Sequence, residues 1–223
     1  MIGVVSMANR RDRISPAVIR RLPRYYRQLT DLMNMGIERI SSGDLGESMG
    51  LTASQIRQDF SCFGEFGQQG YGYNVVRLRA ELATILGMEQ KHTAIVIGVG
   101  NLGRALMENF HFESYGVILA GGFDLNPALH GKSFGGVEVF PLERLKGFVK
   151  ENPVNIAVLA VPQVVAQPLT ETLSKLGIQG LWNFTNVEVK PCDGHNMVIE
   201  DVHFSDSLLA LSYMISEEGD AIK

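Results

Sequence analysis

Two periodicities divide the chain. From residue 15 to about residue 87, apolar side chains recur at three- and four-residue spacing. From residue 93 onward they come in unbroken runs of Val, Ile and Leu. The first pattern predicts amphipathic helices, and the second predicts strands buried on both faces of a parallel sheet.

In the first region, "ISPAVIRRLPRYYRQLTDLMNMG" predicts a short helix followed by a longer one. Ser15 is placed as the N-cap, Pro16 at the first helical position, Pro23 as a restart and Gly36 as the stop. Ser41 with Asp44 three residues on reads as an acidic capping box for a helix to Met49, ended by Gly50. Thr52 with Gln55 reads as a second capping box for the next helix. Two short helices about a glycine turn have helix-turn-helix spacing. In the second of them Ile56, Phe60 and Phe63 form the inward stripe, while Ser54, Arg57, Gln58 and Ser61 form a polar one. Arg57 can fork onto a guanine edge or a phosphate, and Gln58 can pair with adenine. Any amphipathic helix has a solvated polar face, so it is the neighbouring turn and caps that favour a DNA-reading head. "FGEFGQQGYGYNV" then alternates glycines with Phe63, Phe66, Tyr71 and Tyr73 around Gln68, Gln69 and Gly70. This predicts a small hairpin wing, with Tyr71 on it. A helix capped by Asn74 and stopped at Gly87 closes a winged-helix domain, residues 1–87.

Beyond it, "TAIVIG", "GVILAGGFD", "GVEVFP", "NIAVLAVP", "IQGLWNF" and "NMVIEDVHF" read as strands between helix-like stretches. The fold class is therefore α/β, with a doubly wound Rossmann sheet over residues 88–203. The stretch "AIVIGVGNLGRAL" carries Gly98, Gly100 and Gly103 between a strand and a helix, and the next strand ends at Asp124, 21 residues after Gly103. That is dinucleotide spacing: Gly98 for the turn, Gly100 for the pyrophosphate, Gly103 for close packing, and the acid for the ribose hydroxyls. The charge of Asp124 would repel a 2′-phosphate, which favours NAD or NADH over NADP. Another adenine-containing ligand on the same fold, such as coenzyme A, is the competing reading. A last segment, residues 204–223, begins with "FSDSLLALSYMISEEGD" and caps at Ser205 or Asp206. Its apolar residues leave almost no polar face, so it must be buried; burial in a partner subunit is an economical solution, and docking within its own chain is the alternative.

Charge sharpens this division. The chain holds 20 basic and 24 acidic residues. Eleven arginines and seven carboxylates fall in residues 1–80, which are thus net +4 and leave −8 for the remainder. A basic front and an acidic back fit two domains with different partners. Cys62 and Cys192 are too few for a disulfide framework or a zinc site. No apolar run approaches a membrane span, and the N-terminus does not read as a signal peptide. A cytoplasmic protein is expected. Five histidines occur without dyad or metal spacing, so neither catalytic residues nor metal ligands are expected. A small NAD-dependent oxidoreductase with an accessory N-terminal domain is the rival from another class.

"ISPAVIRRLPRYYRQL", "RISSGDLGESMGLTASQIRQDFSCFGEFG", "GYGYNV" and "GVGNLG" together resemble the Rex-type redox-sensing transcriptional repressors, over about residues 14 to 215. The resemblance implies a homodimer whose C-terminal helix is swapped between subunits, bound to a pseudo-palindromic operator as double-stranded DNA. NADH releases the DNA and NAD+ permits repression. By position, Arg20 and Arg21 would meet phosphate, with Arg57 and Gln58 on the recognition helix. Gly98, Val99, Gly100, Asn101, Leu102, Gly103 and Asp124 would hold the cofactor. Ala160, Val161, Pro162, Asn183, Phe184 and Phe204 would line the nicotinamide side. The chain departs from the family pattern at Gln58, Gln68 and Gln69, where cations are usual. Fewer phosphate contacts imply a shallower salt dependence, about −0.9 in log–log slope per phosphate. Asn109 and His203 stand where a tyrosine and an aspartate are usual, so redox discrimination is expected to be weakened or pH-dependent, since histidine changes charge near neutral pH.

Overall fold

Ser15 accepts a hydrogen bond from the Val18 N–H and opens helix α1 (Pro16–Asn34) in the computed structural model, which describes residues 14–64, 66–68 and 71–221. The chain divides into two compact units, Met1–Gln90 and Lys91–Lys223. The expected break at Pro23 does not occur: α1 runs straight through it. Pro23 removes one backbone donor, yet the buried residues Val18, Leu22, Tyr25, Leu29 and Leu32 continue one stripe across it at alternating four- and three-residue steps. Packing of that stripe on a common core holds both halves in line.

Strand β1 (Arg39–Ile40) precedes α2 (Ser42–Met49), whose N-cap Ser41 accepts from the Asp44 N–H. Gly50, at φ +68°, ends α2 in the left-handed region and turns the chain into α3 (Ala53–Ser61). Thr52 caps α3 by accepting from the Gln55 N–H, but the Gln55 side chain does not complete a capping box. Its amide donates instead to Asp59. The hairpin forms from β2 (Gly67–Gln68) and β3 (Gly72–Asn74), and β1 adds to β3 as a third antiparallel strand. Gln69 and Gly70 at its turn lie outside the described residues. Helix α4 (Val75–Ile85) follows, capped by Asn74. The core of this unit gathers Leu22, Tyr25, Leu29, Leu45, Ile56, Val75 and Leu82 about Phe60. The Phe60 ring meets Tyr25, Phe66 and Tyr73 edge-on at centroid distances of 5.0, 6.0 and 5.2 Å.

The second unit runs β4 (His92–Ile97), α5 (Asn101–Asn109), β5 (Val117–Asp124), β6 (Ser133–Phe134), β7 (Val137–Pro141), α6 (Leu145–Glu151), β8 (Ile156–Leu159), α7 (Gln163–Lys175), β9 (Gly180–Asn183), β10 (Val198–Asp201) and α8 (Phe204–Ala221). Strand order is β10-β9-β8-β4-β5-β7-β6, parallel except for the β6–β7 pair. Apart from β6, which the sequence pattern did not suggest, this is the doubly wound order, reversing between β4 and β8. Alternate residues serve opposite faces. Ile95, Ile97, Ala157 and Leu159 join one core, while Val96 and Val158 join the other. No residue of helix α8 is among the buried residues of either core. Phe204, Leu208, Leu209, Leu211, Tyr213, Met214 and Ile215 are each more than half exposed.

Candidate cofactor site and nucleic-acid interface

Where the sheet order reverses, β4 leads into α5 through Gly98, which adopts φ +89°. A side chain on Gly98 would run into the Ala160 carbonyl, and one on Gly103 into the Gly98 carbonyl, so helix and strands approach more closely than any larger residue allows. Gly100 differs: a Cβ there would meet nothing within 4 Å. It is the N-cap of α5 and supplies no side-chain hydrogen bond. The open first turn of α5, with its N–H groups and dipole, is an anion seat.

Asp124 ends β5 beside this turn. Its Oδ2 accepts from the Val99 N–H at 2.7 Å and its Oδ1 from the Asn126 N–H at 2.8 Å. The carboxylate thus braces the glycine turn while retaining lone pairs for a ligand. It lines a cavity of about 700 Å³ with Gly98, Gly100, Ala160, Val161 and Pro162, walled by Leu125, Leu142, Val165 and Leu169. The apolar wall was not foreseen from the sequence, because its residues are scattered over two connecting segments and one helix.

The expected site therefore divides. Ala160–Pro162, expected on the nicotinamide side, share the cavity with Asp124 and the glycine turn. Asn183 is 1% exposed and fully committed to structure. Its amide donates to Val187 and Asp201, and its carbonyl accepts from the Thr185 N–H and hydroxyl. These bonds anchor the β9 end, and Asn183 does not line the Asp124 cavity. Phe184, His203 and Phe204 form a separate patch, with Phe184 between Trp182 and Phe204 and the His203 ring 3.4 Å from the Asn186 side chain. Asn101 and Leu102 begin α5 without lining the cavity.

In the first unit, Ser54, Arg57, Gln58 and Ser61 are all exposed along α3. The exposed Arg57 guanidinium donates to the Ser42 and Ser54 hydroxyls at 2.9 and 3.2 Å, which holds both terminal nitrogens against the starts of α2 and α3. Ser61 turns its hydroxyl back to the Gln58 carbonyl. Arg20 is exposed, whereas Arg21, expected at a phosphate, is bound to Asp59 through Nε and Nη2 at 2.6 and 2.8 Å. Asp59 also accepts from the Tyr25 hydroxyl at 2.6 Å and the Gln55 amide at 2.8 Å. Burial alone would push its carboxyl up; the Arg21, Tyr25 and Gln55 donors outweigh this and hold it below the usual range. Burial and the same carboxylate push the Tyr25 hydroxyl up. Tyr71 is exposed on the wing, with the Arg39 guanidinium 5.9 Å from its ring centroid. Gln68 pairs with Gly72 in the hairpin, and Gln69 lies outside the described residues.

Sequence reasoning missed Asp59, Arg39, and Arg24 and Arg27, which extend the exposed stripe begun by Arg20 along α1. A signal existed for two of these. A carboxylate flanking the inward Phe60 requires a cation, and arginines at i, i+4 and i+7 share a helix face. Among the described residues no group of three His, Cys, Asp or Glu side chains converges as a metal site, and no helix is long and apolar enough to cross a membrane.

Two family models match the chain: "Putative DNA-binding protein N-terminus" over residues 13–61 and "CoA binding domain" over residues 89–187. The redox-sensing transcriptional repressor Rex of Caldanaerobacter subterraneus subsp. tengcongensis is 48% identical over 205 residues, covering 92% of this chain and 91% of the relative. That of Clostridium novyi is 46% identical over 203 residues, covering 91% and 96%. The crystal structure of RSP with β-NAD+ and operator DNA matches with a TM-score of 0.85 at 46% identity, covering 92% of this chain and 94% of that one. RSP with β-NADH matches with a TM-score of 0.87 at 42% identity, covering 95% and 99%. With relatives this similar along nearly their whole length, the chain belongs to the Rex family of redox-sensing transcriptional repressors.

Proposed function

We propose that this chain is a homodimeric repressor that binds a pseudo-palindromic operator through α3 and the wing and leaves it when NADH fills the glycine-turn cavity. Transcription in the cytoplasm would then follow the NADH/NAD+ ratio. One observation carries the reading. A single chain of a repressor family joins an exposed Arg57 on a helix-turn-helix to a glycine turn braced by a ribose-reading acid. Relatives solved with NAD+, with NADH and with operator DNA give the ligands, and they favour a dinucleotide over coenzyme A in this cavity. A repressor family also displaces the oxidoreductase alternative. The exposed apolar side chains of α8 support a dimer, because crossing to a partner would cover them. A two-fold dimer in turn matches a palindrome with half-sites one helical turn apart. Ligand can release DNA only by binding the DNA-free state more tightly.

The test is a mobility shift of operator duplex at several salt concentrations, with and without NADH, repeated with Asp124→Ala. NADH should abolish the wild-type shift, and Asp124→Ala should keep DNA binding while requiring more NADH. An unchanged grip on DNA at saturating NADH overturns the reading. The salt slope should be shallow, given Gln58 on the reading face. A weakened effector response is the second reading. The Asn109 amide is turned onto its own helix at the Ala105 carbonyl, and His203 faces Asn186. It predicts a small NADH-over-NAD+ preference that changes between acidic and alkaline pH.

A further inference from the structure

Among the described residues Asp59 is the only buried charged side chain, and it lies directly behind the reading face of α3. Helix α3 has nine residues and reaches its core through two fully buried apolar side chains, Ile56 and Phe60. Two greasy contacts resist withdrawal of such a helix but not its roll about its own axis. A roll of ten degrees moves a side-chain tip by about 1 Å, enough to misplace a bidentate contact with a base.

The Asp59 carboxylate opposes that roll. Arg21 and Tyr25, one turn apart on α1, deliver three hydrogen bonds to it, and Gln55 delivers the fourth from within α3. Each oxygen receives two donors, at 2.6 to 2.8 Å, so displacement in any direction breaks at least one. Hydrophobic residues of similar volume would hold the two helices together about as well as a buried ion pair. What the pair adds is direction. A second observation points the same way: the Arg57 guanidinium rests on Ser42, the first residue of α2, so its aim depends on α3 keeping its register.

We propose that Asp59 is a positioning residue for DNA reading: through Arg21 and Tyr25 it fixes the roll and depth of α3, and so decides how well Arg57 and Gln58 meet their bases. The proposal rests on the operator-binding reading above. It also explains why Arg21 faces inward rather than toward phosphate.

The experiment compares two affinities. A duplex is selected from a randomised library by the wild-type full-length chain, and binding to it is measured beside a random-sequence duplex of equal length. Asp59→Asn places an amide donor among four donors and frees the Arg21 charge. Binding to the selected duplex should fall about ten- to hundredfold, the effect of losing one well-placed base contact, while binding to the random duplex holds or rises. Tyr25→Phe deletes one hydroxyl without unpairing the charge, and should lower the ratio in the same direction by a smaller factor. NADH affinity should be unchanged in both. General unfolding would weaken both duplexes together, and a proportionate loss of this kind in Tyr25→Phe overturns the proposal, as does a wild-type ratio retained in both variants. A wild-type chain that selects no sequence would overturn the operator reading itself, and this proposal with it.

Discussion

Asp59 is both buried and held in its charged form, and the consequence for stability can be stated with its sign. Its folded-state pKa lies below the unfolded value because the Arg21, Tyr25 and Gln55 donors outweigh the effect of burial. The pair therefore contributes stability above the unfolded pKa of about 3.9, and that contribution is lost as pH falls through the lower folded value. We expect the stability difference between wild type and Asp59→Asn to be about 3 kcal/mol at neutral pH, the low end for breaking a buried pair, since the Arg21 side chain keeps 21% of its surface exposed. Below pH 4 the difference should shrink. Hydrogen exchange of the α3 amides across pH measures it, and a difference unaffected by acid would refute the assignment. At this scale the sequence was readable where a residue acts alone. Ser41, Thr52 and Asn74 cap the helices they precede. It was not readable where a side chain chooses among partners: Arg21 and Gln55 turn to Asp59, and Asn183 turns to the backbone of its own loop.

At the scale of elements, the glycine turn separates two reasons for glycine that look identical in the sequence. Gly103 is required by the fold, because a methyl there meets the Gly98 carbonyl; Gly100 faces open space. Gly103→Ala should destabilise the second unit by about 1–3 kcal/mol, as overpacking does, and abolish NADH binding. Gly100→Ala should leave thermal stability unchanged yet weaken NADH binding, because its methyl would occupy the phosphate approach. Trp182, the single tryptophan, lies in the second unit and reports both unfolding and ligand binding by its emission. Wild-type NADH affinity in Gly100→Ala would sink the assignment. Helix α1 teaches the converse lesson. Pro23 reads as a boundary locally, but the apolar stripe beneath it continues, and the longer-range pattern prevails.

For the whole molecule, the exposed α8 is the feature that a single chain leaves unfinished. Leu209 and Tyr213, one turn apart and each about two-thirds exposed, should lie in the proposed dimer interface. Leu209→Asp with Tyr213→Asp is expected to yield monomers in sedimentation at concentrations where the wild type is dimeric. The same pair should weaken operator binding, because the two half-sites would no longer be read by linked heads. A doubly substituted chain that remains dimeric would exclude α8 as the interface.

The sequence by itself determined most of the order of elements, though not β6 or the continuity of α1 through Pro23, and the position of the glycine turn, because periodicity, caps and tight turns are local and one or two residues suffice to impose them. Tertiary structure alone decided which polar groups are free and which are committed. It turned Arg21 and Asn183 inward, gathered Asp124 with Ala160–Pro162 around one cavity, and left α8 uncovered. Those outcomes depend on what lies across a gap from each side chain, and residues far apart in the chain supply that.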